Sequence, residues 1–311
     1  MTNFGFWNVD SLWNREKDQR EIPRFAADFA IERSLDILFL IECAIPVTSL
    51  MAAFKGEPSY YPISCGERFK VFARFNPNFM RRLELPLPSD RFDIWHLELP
   101  LQEDVLLSVV HGLDQRNNSP AKQELFLQQV VAALSYFEHA LGHNRSIVLG
   151  DFNANPFESP IASTSGMHAV ISQKIAQSAP RRLLDKTYGY FYNPMWNLLG
   201  DARRNTVPTV PGTYYYRGSD PHELYWHMLD QVLIRSSLLN RFDFGTLDIV
   251  TTVRGTQLIS VNSIPNYERF SDHLPVLFGV DLRSDEGVND AYEPVAGFRR
   301  REPAPIPESG S

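Results

Sequence analysis

Six short apolar runs in this 311-residue chain end or begin at acidic, amide or imidazole side chains. Asn8 and Asp10 follow Phe4-Gly5-Phe6-Trp7, Glu42 follows Leu38-Phe39-Leu40-Ile41, and His111 follows Leu106-Leu107-Ser108-Val109-Val110. Asp151 and Asn153 follow Ile147-Val148-Leu149-Gly150, Asp230 precedes Gln231-Val232-Leu233-Ile234, and Asp272-His273 precede Leu274-Pro275-Val276-Leu277. Each run is the length of a buried strand. One polar residue beside one strand means little. Repeated along the chain, the pattern predicts a rigid sheet whose strand ends converge on one polar floor. The sharpest instance is Ser146–Pro156, where the apolar run stops in Gly-Asp-Phe-Asn. Extended backbone there would put Asp151 and Asn153 on one side, able to hold a water and an oxyanion. Asp, Asn and Pro are equally ordinary turn residues.

The remaining pattern is mixed α/β, with helices outside strands. Strands are expected over Phe4–Val9, Asp36–Ile41, Phe69–Phe75, Ile94–Leu99, Val105–Val110, Ser146–Leu149, Gln231–Ile234 and Val276–Val280. Glu21–Arg33 reads as a helix with Pro23 near its start. Ser119–Leu141 is the clearest helix: Ser119 can cap it, Phe126, Val130, Leu134, Phe137 and Leu141 form its stripe, and Gly142 ends it. Pro156–Arg217 reads as loops with some helix over one face. No linker divides residues 1–283, which are expected to form one domain. The stretch 284–311, with Pro294, Pro303, Pro305 and Pro307, reads as a disordered tail.

No apolar run has the length of a membrane span, and the N-terminus lacks a basic and apolar signal segment. With two cysteines, Cys43 and Cys65, in a chain long enough to need no staple, the reading is a cytoplasmic protein with free thiols. A net charge of −7 argues against a protein held to phosphate mainly by a basic face, though not against a local basic groove.

The residue types suit one chemistry. Asn, Asp and Glu are hard oxygen ligands for Mg²⁺, with Mn²⁺ the alternative, and no Cys/His cluster has zinc spacing. His111 and His273 can serve as acid, base or charge stabiliser. A divalent ion, two histidines and a water-holding Asp are the equipment for hydrolysing a phosphate ester. His96, His139, His143, His168, His222 and His227 match no motif and read as structural.

In their order, Trp7-Asn8-Val9-Asp10, Leu40-Ile41-Glu42, Val110-His111-Gly112, Gly150-Asp151-Phe152-Asn153 with Pro156, Leu229-Asp230-Gln231-Val232 and Ser271-Asp272-His273-Leu274-Pro275-Val276 resemble the endonuclease/exonuclease/phosphatase family. That family includes DNase I, abasic-site endonucleases, sphingomyelinases and inositol-phosphate phosphatases. The resemblance spans about residues 4–281 and implies a four-layer α/β/β/α sandwich, the DNase I-like fold. It implies that Glu42 is the principal Mg²⁺ ligand, with Asn8, Asp10 and Asp272 also on the metal side. Asp151 would position the attacking water and Asn153 would help hold the phosphate. His273 would contact the scissile phosphate, oriented by Asp230. His111 would be the second histidine of the DNase I-like branch, with Glu67 as a carboxylate beside it.

The substrate is less legible. The region 167–217 carries Arg181-Arg182, Arg203-Arg204, Tyr188–Trp196 and Tyr214-Tyr215-Tyr216-Arg217. Arg with interleaved aromatics can bind phosphate and stack bases, and the same residues can pack a long loop on the core. The leading expectation is a Mg²⁺-dependent nuclease acting on DNA or RNA. The alternative is a phosphatase or phosphodiesterase for a small molecule or lipid headgroup, which the acidic composition favours. A binding protein on the same fold would have lost catalytic residues, and none is missing.

Overall fold

The computed structural model describes residues 1–11, 21–54, 59–66, 68–201, 209–219, 221 and 223–284. The expected C-terminal tail from 285 onward lies outside them. Two sheets carry the architecture. The first orders its strands Phe242–Ile249, Val276–Val280, Thr2–Asn8, Ile37–Ile41, Phe69–Ala73 and Tyr61–Cys65. The second orders them Met80–Arg82, Phe92–Leu97, Val105–His111, Ser146–Asp151, Asp230–Arg235, Phe191–Tyr192 and Ala169–Val170.

Each sheet has a parallel pair near its middle, and each pair is joined through a helix. Thr2–Asn8 pairs parallel with Ile37–Ile41 across the helix Glu21–Glu32. Val105–His111 pairs parallel with Ser146–Asp151 across the helix Pro120–Leu141. Parallel neighbours require such crossovers, and they leave both C-terminal strand ends on the same edge.

Side-chain alternation sets the layers. On Thr2–Asn8, Trp7 packs its ring 5.5 Å from Phe25 of the first helix, and a Cβ at Gly5 would come within 3.0 Å of Phe29. Phe4 points the other way and stacks on Phe278 at 5.0 Å. In the second sheet, Leu107, Val109, Ile147 and Leu149 share a core with the first sheet. Their neighbours Leu106, Val110 and Val148 pack with Phe126, Leu127, Val130 and Leu134 of the long helix. The layers run helix, sheet, sheet, helix, as expected from the resemblance, and strands buried on both faces explain the continuous apolar runs.

Several boundaries differ from the sequence reading. The strand expected to stop at Leu149 continues through Asp151, and the one expected from Gln231 starts at Asp230. Those two carboxylates sit in register as Asp230↔Asp151, fixed by the sheet and not by a loop. Gly150 permits this at φ 135°, where a Cβ would lie 2.1 Å from the Val110 carbonyl oxygen. The long helix begins at Pro120 after Ser119, whose side chain makes no cap hydrogen bond. Gly142 closes it in the left-handed conformation as expected. The edge strands Tyr61–Cys65, Met80–Arg82 and Phe242–Ile249 escape the sequence reading. Cys43 and Cys65 are free thiols, Cys43 buried and Cys65 exposed. Among the described residues no helix is long and apolar enough to cross a membrane.

Candidate active site

Where the polar edges of the two sheets meet, a cleft of about 720 Å³ opens. Asn8, Asp10, Glu42, His111, Asp151, Asn153, Asp272 and His273 all line it, and Asp230 stands directly behind His273. The expected site residues therefore come together in one place. Register explains much of this. His111↔Asp151↔Asp230 are side-by-side partners across three strands of the second sheet. Asn8 and Glu42 end the parallel pair of the first sheet.

The Asn8 amide ties the sheets together. It is buried, donates to Asp151 Oδ2 at 3.0 Å and to Glu42 Oε1 at 3.4 Å, and accepts the Asp10 backbone N–H through Oδ1. Glu42 adopts a positive φ of 50° just past its strand, which turns its carboxylate into the cleft. His111 Nε2 lies 2.7 Å from Glu42 Oε1. Burial works to raise the Glu42 carboxyl, but hydrogen bonds and charge from His111, with His273 and Asn8 adding to them, hold it below the usual glutamate value.

Asp151 and Asn153 meet by a different route from the extended backbone considered above. Asn153 turns at φ 51°, its backbone N–H donates to Asp151 Oδ1 at 2.8 Å, and its amide reaches Asp151 Oδ2 at 3.3 Å. The turn chemistry and the cleft position belong to the same residues.

His273 and Asp230 form a buried pair, Nδ1 to Oδ2 at 2.7 Å. With Nδ1–H spent on Asp230, Nε2 faces the cleft, 4.0 Å from Asp151 Oδ2. Burial opposes the imidazolium, but the Asp230 and then the Asp151 carboxylates push its pKa well above the ordinary histidine value. Ser271 pins this turn, giving its hydroxyl to the Asn8 carbonyl and accepting the His273 N–H.

The cleft holds donors suited to a divalent cation: Glu42, His111 and Asp151 bring potential ligand atoms within 4.8 Å of one another, Asn8, Asp10 and Asp272 line the same cleft, and Asp272 Oδ1 is buried with no hydrogen-bond partner among the described residues. A second clustering of potential ligands, His96, Asp104 and His143, sits at the opposite end of the second sheet. There the Arg145 backbone N–H donates to His143 Nδ1, so His143 carries its proton on Nε2 and spends it on Asp104. That arrangement is a hydrogen-bonded clamp, and the sequence reading of His96 and His143 as structural agrees with it.

Other groups in the cleft escape sequence reasoning. Glu67 lies outside the described residues, and the group on His111 Nδ1 is the Arg68 guanidinium at 2.7 Å. His227 matches no motif yet lines the cleft. Its Nδ1 accepts from the Asn155 amide at 2.9 Å and its Nε2 lies 2.5 Å from Glu223. The Arg/aromatic insert divides. Tyr214 and Tyr216 line the cleft. Arg181 and Arg182 sit on an exposed hairpin, Arg181–Leu183 with Lys186–Tyr188, near the Arg235 end of the sheet and away from Asp230. Arg203 and Arg204 lie outside the described residues. No sequence signal separates these halves, because the separation depends on which edge of the sheet each loop returns to.

No family model and no curated protein matches the chain. Solved structures do. An endonuclease/exonuclease/phosphatase family protein from Leptotrichia buccalis C-1013-b superposes with a TM-score of 0.54 at 11% identity, over 91% of this chain and 100% of that one. TDP2 from D. rerio, complexed with a single strand DNA product, gives 0.53 at 16% identity, over 89% and 97%. Truncated Caenorhabditis elegans TDP2 gives 0.51 at 14% identity, over 90% and 97%. At such identities the likeness is one of backbone, and it agrees with the layers derived above: the chain has the DNase I-like fold of the endonuclease/exonuclease/phosphatase family.

Proposed function

We propose that this protein is a Mg²⁺-dependent phosphoesterase that hydrolyses phosphodiester bonds of nucleic acid. The observation that carries the reading is the convergence of Asn8, Glu42, Asp151, Asp272 and the Asp230–His273 pair on one cleft. Asn8, Asp10, Glu42 and Asp272 would hold the ion, which when bound neutralises charge on the phosphate and leaving oxygens. Mn²⁺ takes the same donors.

The remaining roles belong to the chain itself. Asp151, its oxygens oriented by Asn8 and Asn153, accepts a proton from the attacking water. That water's oxygen forms the new bond to phosphorus as the ester P–O bond breaks in line with it. His273, held protonated beside Asp230, presents Nε2–H to a phosphate oxygen whose charge grows in the transition state. Asn153 helps hold the phosphate, and His111 adds a second imidazole from the facing sheet.

Nucleic acid is favoured as substrate because Arg68, Arg91 and Arg116 line the same cleft as Tyr214 and Tyr216, cations for phosphates beside rings for bases. The relative that carries a single strand DNA product shares this backbone. A net charge of −7 favours the second reading, a small-molecule or lipid-headgroup phosphate ester. Incubation with Mg²⁺ and plasmid, single-stranded DNA or RNA, in parallel with small phosphate esters, separates the two. Cleavage of nucleic acid is expected. Intact nucleic acids alongside phosphate release from small esters would sink the nuclease reading.

A further inference from the structure

The Tyr214 side chain is placed with unusual care for a residue on so short a strand, Tyr214–Tyr215 paired antiparallel with Trp226–His227. Its backbone segment is pinned on three sides: Thr213 N–H donates to the His227 carbonyl at 2.8 Å, Leu274 N–H donates to the Thr213 carbonyl at 2.8 Å, and Asp230 N–H donates to Thr213 Oγ1 at 3.0 Å. Gly212 lets the chain pass, since a Cβ there would lie 2.3 Å from the His227 carbonyl oxygen. Tyr214 bridges in register to His273, and the two rings lie 4.9 Å apart. The residue that orients the cleft side of His273 is therefore a tyrosine ring, with Asp230 behind.

A phenylalanine or tryptophan would supply that ring contact equally well. What tyrosine adds is one O–H, and it has no hydrogen-bond partner among the described residues although the side chain is half-buried and lines the cleft. Neither Asp151 nor Asp272 takes it. Both carboxylates nevertheless act on it: burial first, then Asp272, with Asp151 adding, push the phenol up to about 12, against Arg116 and Arg217. At neutral pH it is a donor that cannot serve as a base. The hydroxyl opens to the cleft beside carboxylates, where an incoming anionic oxygen can take its hydrogen bond.

We infer that the Tyr214 hydroxyl is a further catalytic group of this site, donating its hydrogen bond to a non-bridging oxygen of the phosphate that His273 Nε2–H contacts. This rests on the phosphoesterase reading above. On it, the site grips the phosphate through a phenol beside His273, and no covalent step passes through Tyr214.

Tyr214→Phe keeps the ring against His273 and removes only the hydroxyl. Against the esters that the wild type hydrolyses with Mg²⁺, kcat should fall about 10²-fold, the low end for losing one such donor, with KM changed by less than about 3-fold. Tyr215→Phe, whose ring packs on Trp226 away from the cleft, serves as the control and should keep the wild-type rate. With inorganic phosphate and Mg²⁺, the near-ultraviolet difference spectrum of the wild type should show a tyrosine perturbation that Tyr214→Phe lacks. A Tyr214→Phe enzyme with unchanged kcat overturns the inference and leaves the phosphoesterase reading standing. So does a raised KM at constant kcat, which would make the ring a binding surface only. A wild type inert toward every phosphate ester overturns the phosphoesterase reading itself.

Discussion

The buried Asp230–His273 pair offers the most direct test of the site. Asp230→Asn is isosteric and removes one charge. At 2.7 Å, attraction between the two ions is about 6 kcal/mol at an effective dielectric near 20. Burying them costs several kcal/mol each, so the net loss on removing one partner is expected to be about 3–5 kcal/mol. The substitution also places an amide N–H₂ in a pocket where Asp230 Oδ1 already has no partner among the described residues. That unsatisfied group falls within the same range. At roughly 2 °C per kcal/mol for a chain of this size, Tm should drop by about 6–10 °C. The pH dependence has a definite shape. The folded-state pKa of His273 is raised, so its share of the pair's contribution is lost as pH rises through the folded value, while burial pushes Asp230 up to about 6, so the charged pair also weakens as pH falls through that value. Differential scanning calorimetry should therefore show the gap between wild type and Asp230→Asn widest above pH 6, narrowing toward alkaline pH as His273 deprotonates and toward acid as Asp230 protonates. Hydrolysis assays should show kcat reduced by about 10²–10⁴-fold, because His273 loses both its orientation and the charge that keeps Nε2–H in place. A variant with kcat within about 3-fold of wild type, or a stability gap that widens toward alkaline pH, would refute the pairing argument.

Three further perturbations probe other parts of the structure. Gly150→Ala should destabilise by about 2–6 kcal/mol and abolish hydrolysis, since φ 135° disfavours any side chain and the Cβ would strike the Val110 carbonyl one register step before the His111↔Asp151 pair; chemical denaturation together with the rate checks both. Asp104→Asn should cost about 2–3 kcal/mol at pH 7 without altering kcat, because His96, His143 and Arg145 all converge on that carboxylate, far from the cleft. Those partners, working against burial, depress the Asp104 pKa, so the gap should close as pH falls below about 4, and a gap that persists there would contradict the clamp. Glu42→Ala and chelation by EDTA should each remove hydrolysis, with Mg²⁺ restoring the wild type but not the variant; full activity without divalent ions would exclude the proposed metal role.

What the sequence disclosed and what it withheld divide along a physical line. Residues at the ends of buried strands were legible, because a continuous apolar run dictates the strand and the strand dictates where its last side chain must be. Asn8, Glu42, His111, Asp151 and Asp230 are all of this kind, and the register pairs His111↔Asp151↔Asp230 follow from one parallel crossover and one antiparallel return. Even the boundary errors there were short, since Gly150 extended a strand that was already recognised. Groups on the short strands and loops that return to the cleft were not legible. Tyr214 and His227 owe their positions to backbone bonds from Thr213 to His227 and to Leu274, contacts between segments with no shared periodicity. Arg181 and Tyr216 have the same composition signature, yet one stands on a hairpin at the far end of the sheet and the other lines the cleft. A related division separates the two halves of the functional problem. On the proposed reading, chemistry at phosphorus would be carried by the strand ends and by Tyr214, whereas discrimination among phosphate esters would be carried by the surrounding segments, where Arg68, Arg116, Tyr216 and the Glu223–His227 pair stand. Substitutions in the first group should therefore reduce kcat on every ester alike. Substitutions at Arg116 or Tyr216 should instead change the ratio of kcat/KM between nucleic acid and small esters, and a uniform loss across substrates would show that these side chains do not select the ester.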